Sequence, residues 1–403
     1  MSKNTLVKGL FTALIAFLIA APAFAQNYTA AETKSVEKSK VLYNKGKYDK
    51  AISTITKVQM AHIYDEELWT LRIIYENTRY NVQFSKDIAG LIKKAGKSGT
   101  VNVDFDKLKS TQYRGELLVA CYMATNYANN QILASSILHD MIIEPTVDTT
   151  ISDDAKELRS KGDEEYSKQN YTAAIRQYQK AIDEEPNYYS ATLDIGFCYY
   201  KDEKWDKAVT WFAKASALQP EMLTPRYYMI ECLKSDKKWD EVYSACIEAI
   251  IQYPHVGYFT SLEEACDKKD KTFKRHWMSR DYFPNMMSVT SQSTPDEEPW
   301  NFYRNAKDKL YDYCDDDGVV TKSQTVTEQK YLEVYSWEYM LKKSDTEDKE
   351  IGFARKMQEQ GYLDCFAMVS MFHISFWNQY KAFRDAEGNR ARIKTYIETQ
   401  LIK

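Results

Sequence analysis

The chain is 403 residues long, carries 54 Lys and Arg against 58 Asp and Glu, and has a formal charge of −4. Mild acidity with both signs interspersed argues against a nucleic-acid binder, which shows a basic face or stripe, and the length supplies core for two or three compact units. Glycine is scarce, at 13 residues, where average usage is about 7 per cent; long helices explain this, since an interior glycine costs roughly 1 kcal/mol against alanine.

At the start, Lys3 and Lys8 precede the apolar run LFTALIAFLIAA, which closes on Ala23-Phe24-Ala25. This is the pattern of a secretory leader cleaved after Ala25, with an uncleaved N-terminal anchor as the alternative. The run is shorter than the roughly 20 apolar residues of a spanning helix, and no later stretch is apolar enough to cross a membrane. Removing residues 1–25 takes away two lysines and no acids, leaving 378 residues and a formal charge of −6. An exported chain, periplasmic or secreted, is the expectation.

Residues 38–58, KSKVLYNKGKYDKAISTITKV, predict a helix pair around Tyr48, Ala51 and Ile55. Residues 66–97 and 113–145 each read as another pair, the first with Trp69, Leu71 and Ile74, the second with Leu117, Cys121, Ile137 and Leu138. GLIKKAGKSGT at 90–100 approaches a phosphate-binding loop but places five residues between Gly90 and Gly96 where that loop takes four, and no strand leads into it. A glycine-capped helix end is the simpler reading.

From 155 to 254 several columns recur every 34 residues. Tyr171, Trp205 and Trp239 form one, Ala174, Ala208 and Val242 a second, Ala181, Ala215 and Ala249 a third, and Pro186, Pro220 and Pro254 a fourth. Tyr178, Phe212 and Cys246 make an apolar fifth; Gly162 and Gly196 a sixth that gives way to Ile230. Small residues let two helices of a pair approach, the large aromatic opens the second helix, and the proline ends it. A 34-residue helix-turn-helix with these columns resembles the tetratricopeptide repeat. The resemblance covers 155–254 and implies an all-α solenoid that acts as an interaction scaffold. Ile230 and Val242 depart from it, so the third repeat is expected to pack more openly.

Beyond 255 the period is lost. Residues 284–299 are polar and hold three prolines, a linker or surface loop. Helical spacing returns at about 299–314, 326–343, 346–360, 362–385 and 389–402, with Trp300, Tyr303, Ala306 and Leu310 as one apolar stripe. The expected organisation is a leader at 1–25, degenerate helical repeats at 26–150, three repeats at 151–255, a connecting segment at 256–299 and a C-terminal helical lobe at 300–403. That lobe is similar to those accompanying such repeats in some exported bacterial proteins.

Catalytic and metal constellations do not assemble from the sequence. The loop DYCDDDGVVTKSQ lacks the first and last calcium ligands, with Tyr313 and Gln324 in those slots. His62, His139, His255, His276 and His373 show no metal-ligand spacing. Cys365 and His373 on one helix stand about 12 Å apart along its axis. No GxSxG elbow occurs. The seven cysteines hold no CxxC pair; Cys232 and Cys246 sit out of step across a helix hairpin, and most of the seven read as small buried apolar residues. No catalytic residue, metal or cofactor is expected.

Stacked helix pairs line a concave face with their first helices. In the second repeat Leu193, Phe197 and Tyr200 form a stripe on that side; one repeat back it is Arg159, Asp163 and Tyr166, one forward Tyr227, Glu231 and Lys234. The family's known peptide clamp grips a terminal carboxylate with a cation and asparagines; Arg159 matches its first cation, but Asp163 and Asp194 stand in place of the asparagines and repel that ligand. The expected function is a non-catalytic scaffold of the cell envelope binding a protein or peptide in this groove, unless the C-terminal lobe folds back and fills it. The rival is a glycan or small-molecule binder using Trp300, Trp337 and Trp377.

Overall fold

The computed structural model describes residues 28–98, 107–128, 131–143, 147–276, 300–311, 314, 331–346 and 349–403. The leader, the polar stretch at 284–299 and, apart from Cys314, the calcium-loop candidate at 313–324 lie outside them. The described elements are helices, with isolated bridge residues beside them, among them the antiparallel pair Phe273 and Ile402. The chain divides into two compact units, through Ile137 and from Leu138, the division falling within one helix.

In the first unit α1 (Ala30–Asn44) and α2 (Tyr48–Ala61) form a hairpin. Thr29 starts α1 with a reciprocal cap, its side chain taking the Glu32 amide and the Glu32 carboxylate taking the Thr29 amide. The pair expected at 66–97 is instead one 33-residue helix, α3 (Glu66–Ser98). The segment holds no proline, and neither Gly90 nor Gly96 ends it, because a lone glycine costs about 1 kcal/mol and nothing here demands a left-handed residue. Helix α4 (Lys109–Tyr127) packs against α3, and Arg79 of α3 joins Asp49 of α2 to Glu116 of α4. Helix α5 (Ile132–Ile142) follows.

The second unit is built on three copies of one hairpin: α6 (Asp153–Ser167) with α7 (Tyr171–Glu184), α8 (Tyr189–Lys201) with α9 (Trp205–Leu218), and α10 (Leu223–Ser235) with α11 (Trp239–Gln252). Each helix packs on the next. The glycine column explains how closely: a Cβ on Gly162 lies 2.3 Å from the Tyr178 ring, and one on Gly196 lies 2.6 Å from Phe212. In the third copy the bulk changes sides. Ile230 replaces the glycine and Cys246 the ring, and both are buried; the two helices of this copy approach each other over less of their length than those of the first two, the more open packing expected there.

The turn inside each hairpin is equally constant. Gln169, Glu203 and Lys237, 34 residues apart, all take positive φ near 60°, as does Gly46 between α1 and α2. At each, the next amide reaches back to the last helical turn: Lys47 to Leu42, Asn170 to Glu165, Lys204 to Tyr199 and Lys238 to Leu233, every one at 2.9 Å. A left-handed residue past the helix end turns the chain so that these otherwise orphaned carbonyls are bonded.

The connecting segment expected at 256–299 begins with a further helix, α12 (Val256–Asp267), packed on α11 and touching α10. It covers the apolar flank of the third hairpin, and its Tyr258 and Leu262 are fully buried. The lobe comprises α13 (Trp300–Tyr311), α14 (Leu332–Lys343), α15 (Lys349–Glu359), α16 (Leu363–Cys365, continued by a π turn at Phe366–Ser370), α17 (Trp377–Asp385, preceded by a 3-10 turn) and α18 (Asn389–Tyr396, ending in a π turn). The single helix expected at 362–385 is therefore broken at Met371–His373, where the His373 side chain caps the 3-10 turn that follows. Trp337 centres the lobe core, edge-on to Tyr303 and Phe366. All seven cysteines are free thiols and six are buried.

Candidate functional site: the first-helix face of the repeats

The side chains proposed for the groove separate into two groups. Arg159 and Leu193 are 6 % and 2 % exposed and belong to the interior, which corrects their assignment to a binding surface. Arg159 Nε donates to Asp194 Oδ2 at 2.7 Å across α6 and α8, and Tyr178 donates to Asp163 at 2.9 Å. Of the two acids that deny Arg159 a ligand role, Asp194 is thus its structural partner and Asp163 that of Tyr178. Burial pushes the Asp194 carboxyl up to about 6 against the opposing pull of Arg159. Sequence spacing could not reveal this, because position 194 faces the neighbouring hairpin rather than the open side.

The second group lies together. Phe197 and Tyr200 of α8 meet Tyr228 of α10, with ring centres 4.8 and 5.2 Å away, both edge-to-face. Tyr228 also contacts Tyr227 and the buried Phe212. Tyr166 and Tyr200 pack edge-on against the opening aromatics of their own hairpins, Tyr171 and Trp205, at 5.4 and 5.5 Å, and Tyr43 repeats this on Tyr48. Each such pair stabilises by about 0.5–1.5 kcal/mol beyond its buried area. Tyr166, Phe197, Tyr200, Tyr227 and Tyr228 are all half-buried. Tyr228 was not anticipated by the 34-residue register, although its adjacency to Tyr227 signals it.

Charge gathers at one edge of this aromatic surface. Lys234 is held by Glu231 at 3.2 Å and by Glu264 of α12 at 2.7 Å. Glu264 was missed because no helix was expected there. Burial, followed by the Glu231 carboxylate, raises the Tyr227 hydroxyl well above its ordinary range; burial chiefly raises Tyr228, and Tyr200 follows with Glu231 as its second cause. These phenols stay neutral at any working pH and keep their protons to donate.

The lobe does not dock on this face through its described contacts; it docks at the far end of α11. Tyr380 donates to the carbonyls of Ile250 and Ile251 at 3.2 and 2.8 Å, and Arg384 to that of Gln252 at 2.7 Å. These are final carbonyls of α11 that its own backbone cannot bond. Tyr253 sits between Phe372 and Trp377, Lys381 pairs with Glu221 at 2.9 Å, and the backbone of Thr272–Lys274 pairs with Leu401–Lys403. Trp337 is fully buried and Trp377 is 7 % exposed, so these two rings are unavailable to stack on a sugar. Among the described residues no group of three or more His, Cys, Asp or Glu side chains is placed to hold a metal ion, and no described helix is long and apolar enough to cross a membrane.

A copied helical hairpin with complementary small and large faces defines a solenoid of the interaction-scaffold class. Residues 166–242 match the family model described as Tetratricopeptide repeat, and that stretch is a tetratricopeptide repeat region of all-α fold. Similar solved structures include MamA, at 17% identity over 59% of this chain and 93% of that one with a TM-score of 0.21. The TPR2AB domain of yeast Sti1, solved as a pHSP90 complex, is similar at 14% identity over 60% and 93%, with a TM-score of 0.23. The P58(IPK) TPR domain is similar at 14% identity over 92% and 97%, with a TM-score of 0.28. The comparison with curated proteins finds no match.

Proposed function

We propose that this protein is a non-catalytic scaffold of the cell envelope that holds an extended protein segment against the first-helix face of its repeats. The carrying observation is the aromatic surface of Phe197, Tyr200, Tyr227 and Tyr228, half-buried and packed from beneath by Phe212. Rigid rings with few rotatable bonds lose little entropy on binding, and tyrosine hydroxyls with retained protons can donate to a partner's backbone carbonyls. Contiguous aromatic surface of this kind marks contact sites.

The test is site-specific photo-cross-linking in the native cell. A cross-linker in place of Tyr227 should yield adducts that map to one segment of one partner, while the same group in place of the exposed Lys180 on α7 should not. Equal adducts from both positions remove the groove from the account. Export is a separate proposal, supported by the leader pattern at 1–25: the protein isolated from its native cell should begin at Gln26, and a chain still starting near Met1 defeats it.

A further inference from the structure

We infer that the segment received by this face carries arginine, whose guanidinium stacks on Tyr200 and Tyr227 and pairs with Glu231 and Glu264. This deepens the groove reading and rests on it. Beside the half-buried tyrosines stands Glu231, which acts on Tyr200 and Tyr227; Lys234 joins it to Glu264, and the three charged groups are unequally accessible. Lys234 is the most covered, at 22 % side-chain exposure, whereas Glu231 keeps 29 % and Glu264 42 %. An incoming chain therefore meets acid first.

The aromatic surface adds the second half of the recognition. Tyr227 and Tyr228 stand edge to face, as do Tyr200 and Tyr228, and the Glu231 carboxylate lies near enough to act on both Tyr200 and Tyr227. A planar cation over a ring face is attracted by the negative face of the π system. A guanidinium satisfies this and a carboxylate together, because its fork donates in plane while its face stacks; an ammonium serves only as a point charge. An acidic segment, by contrast, meets Glu231 and Glu264 with only the covered Lys234 to offset them, and the exposed Lys201 at the last turn of α8 is the nearest sequence neighbour that could favour it.

The experiment titrates residues 26–403 with three fluorescein-labelled peptides, (Arg-Gly)4, (Glu-Gly)4 and (Ser-Gly)4, followed by anisotropy at low and physiological salt. The arginine peptide should bind about tenfold tighter than the serine peptide, and E231Q with E264Q should cost most of that difference. The double variant E184Q and E241Q, which removes two exposed acids from second helices, should leave affinity within about twofold. Equal loss from both double variants reduces the effect to net charge and overturns the inference. If the serine or glutamate peptide binds best and Tyr227→Leu weakens it, the groove stands and the arginine assignment falls. If no peptide binds, the arginine assignment also falls, and the cross-linking at Tyr227 decides the groove by itself.

Discussion

At the residue scale, the periodic columns translate into contacts that single substitutions can probe. Gly196→Ala puts a methyl against the Phe212 ring at 2.6 Å, an overpacking that should cost about 1–3 kcal/mol in urea unfolding. Adding Phe212→Leu should recover part of the loss, and an unchanged midpoint for the single variant would show that the helices are not held at this separation. The hairpin turn makes a reciprocal pair of predictions. Gly46→Ala forces a methyl into a left-handed residue and should destabilise by about 1 kcal/mol, while Glu203→Gly relieves the same conformation and should stabilise by about 0.5 kcal/mol. A third prediction concerns Asp194. Its folded carboxyl titrates near 6 and an unfolded one near the ordinary 3.8, so between those values the folded chain binds more protons and its stability falls as pH rises. The difference between wild type and Asp194→Asn across pH 4 to 6 isolates this contribution; a difference growing in the opposite sense would mean that Arg159 outweighs burial. The columns were legible because backbone geometry makes positions 34 apart equivalent. The Arg159–Asp194 pair was not, because its partners come from two hairpins and only their approach makes the site dry.

At the element scale, helix ends account for most of what periodicity could not place. The unbonded carbonyls at the end of α11 need donors, and the lobe provides them through Tyr380 and Arg384. Tyr380→Phe should therefore lower stability by about 1–2 kcal/mol without repacking the ring, since it removes the one hydroxyl donor that two buried carbonyls share. Thermal unfolding followed by near-UV circular dichroism checks this, and an unaltered transition would free the lobe from α11. Helix α12 escaped the sequence reading because it carries neither the opening aromatic nor the paired small residues of the repeat. The unbroken α3 escaped it for the converse reason: two glycines imitate helix breaks, yet a glycine ends a helix only where the chain needs a left-handed turn. The π turns at Phe366–Ser370 and Ile397–Leu401 leave no sequence signal that periodicity alone can read.

At the scale of the whole molecule, the repeats and the lobe share one compact unit beginning within α5, and their stability should be shared as well. Residues 131–403 expressed alone, which keep α5 entire, should unfold in one cooperative transition; separate transitions for the hairpins and the lobe would break the unit. The amino-acid sequence by itself determined the class of fold and the 34-residue register that makes equivalent positions of the hairpins recur. It could do so because a copied helix pair obeys local rules: 3.6-residue periodicity, small residues at close approach and a proline beyond the second helix. Only the tertiary structure decided which residues at those positions stay partly exposed. Arg159 and Leu193 sank into the interface between hairpins, Tyr228 and Glu264 joined the surface, and the lobe met α11. Burial and electrostatics are properties of approach between distant segments, and a pattern along one chain does not specify the distance at which its copies meet.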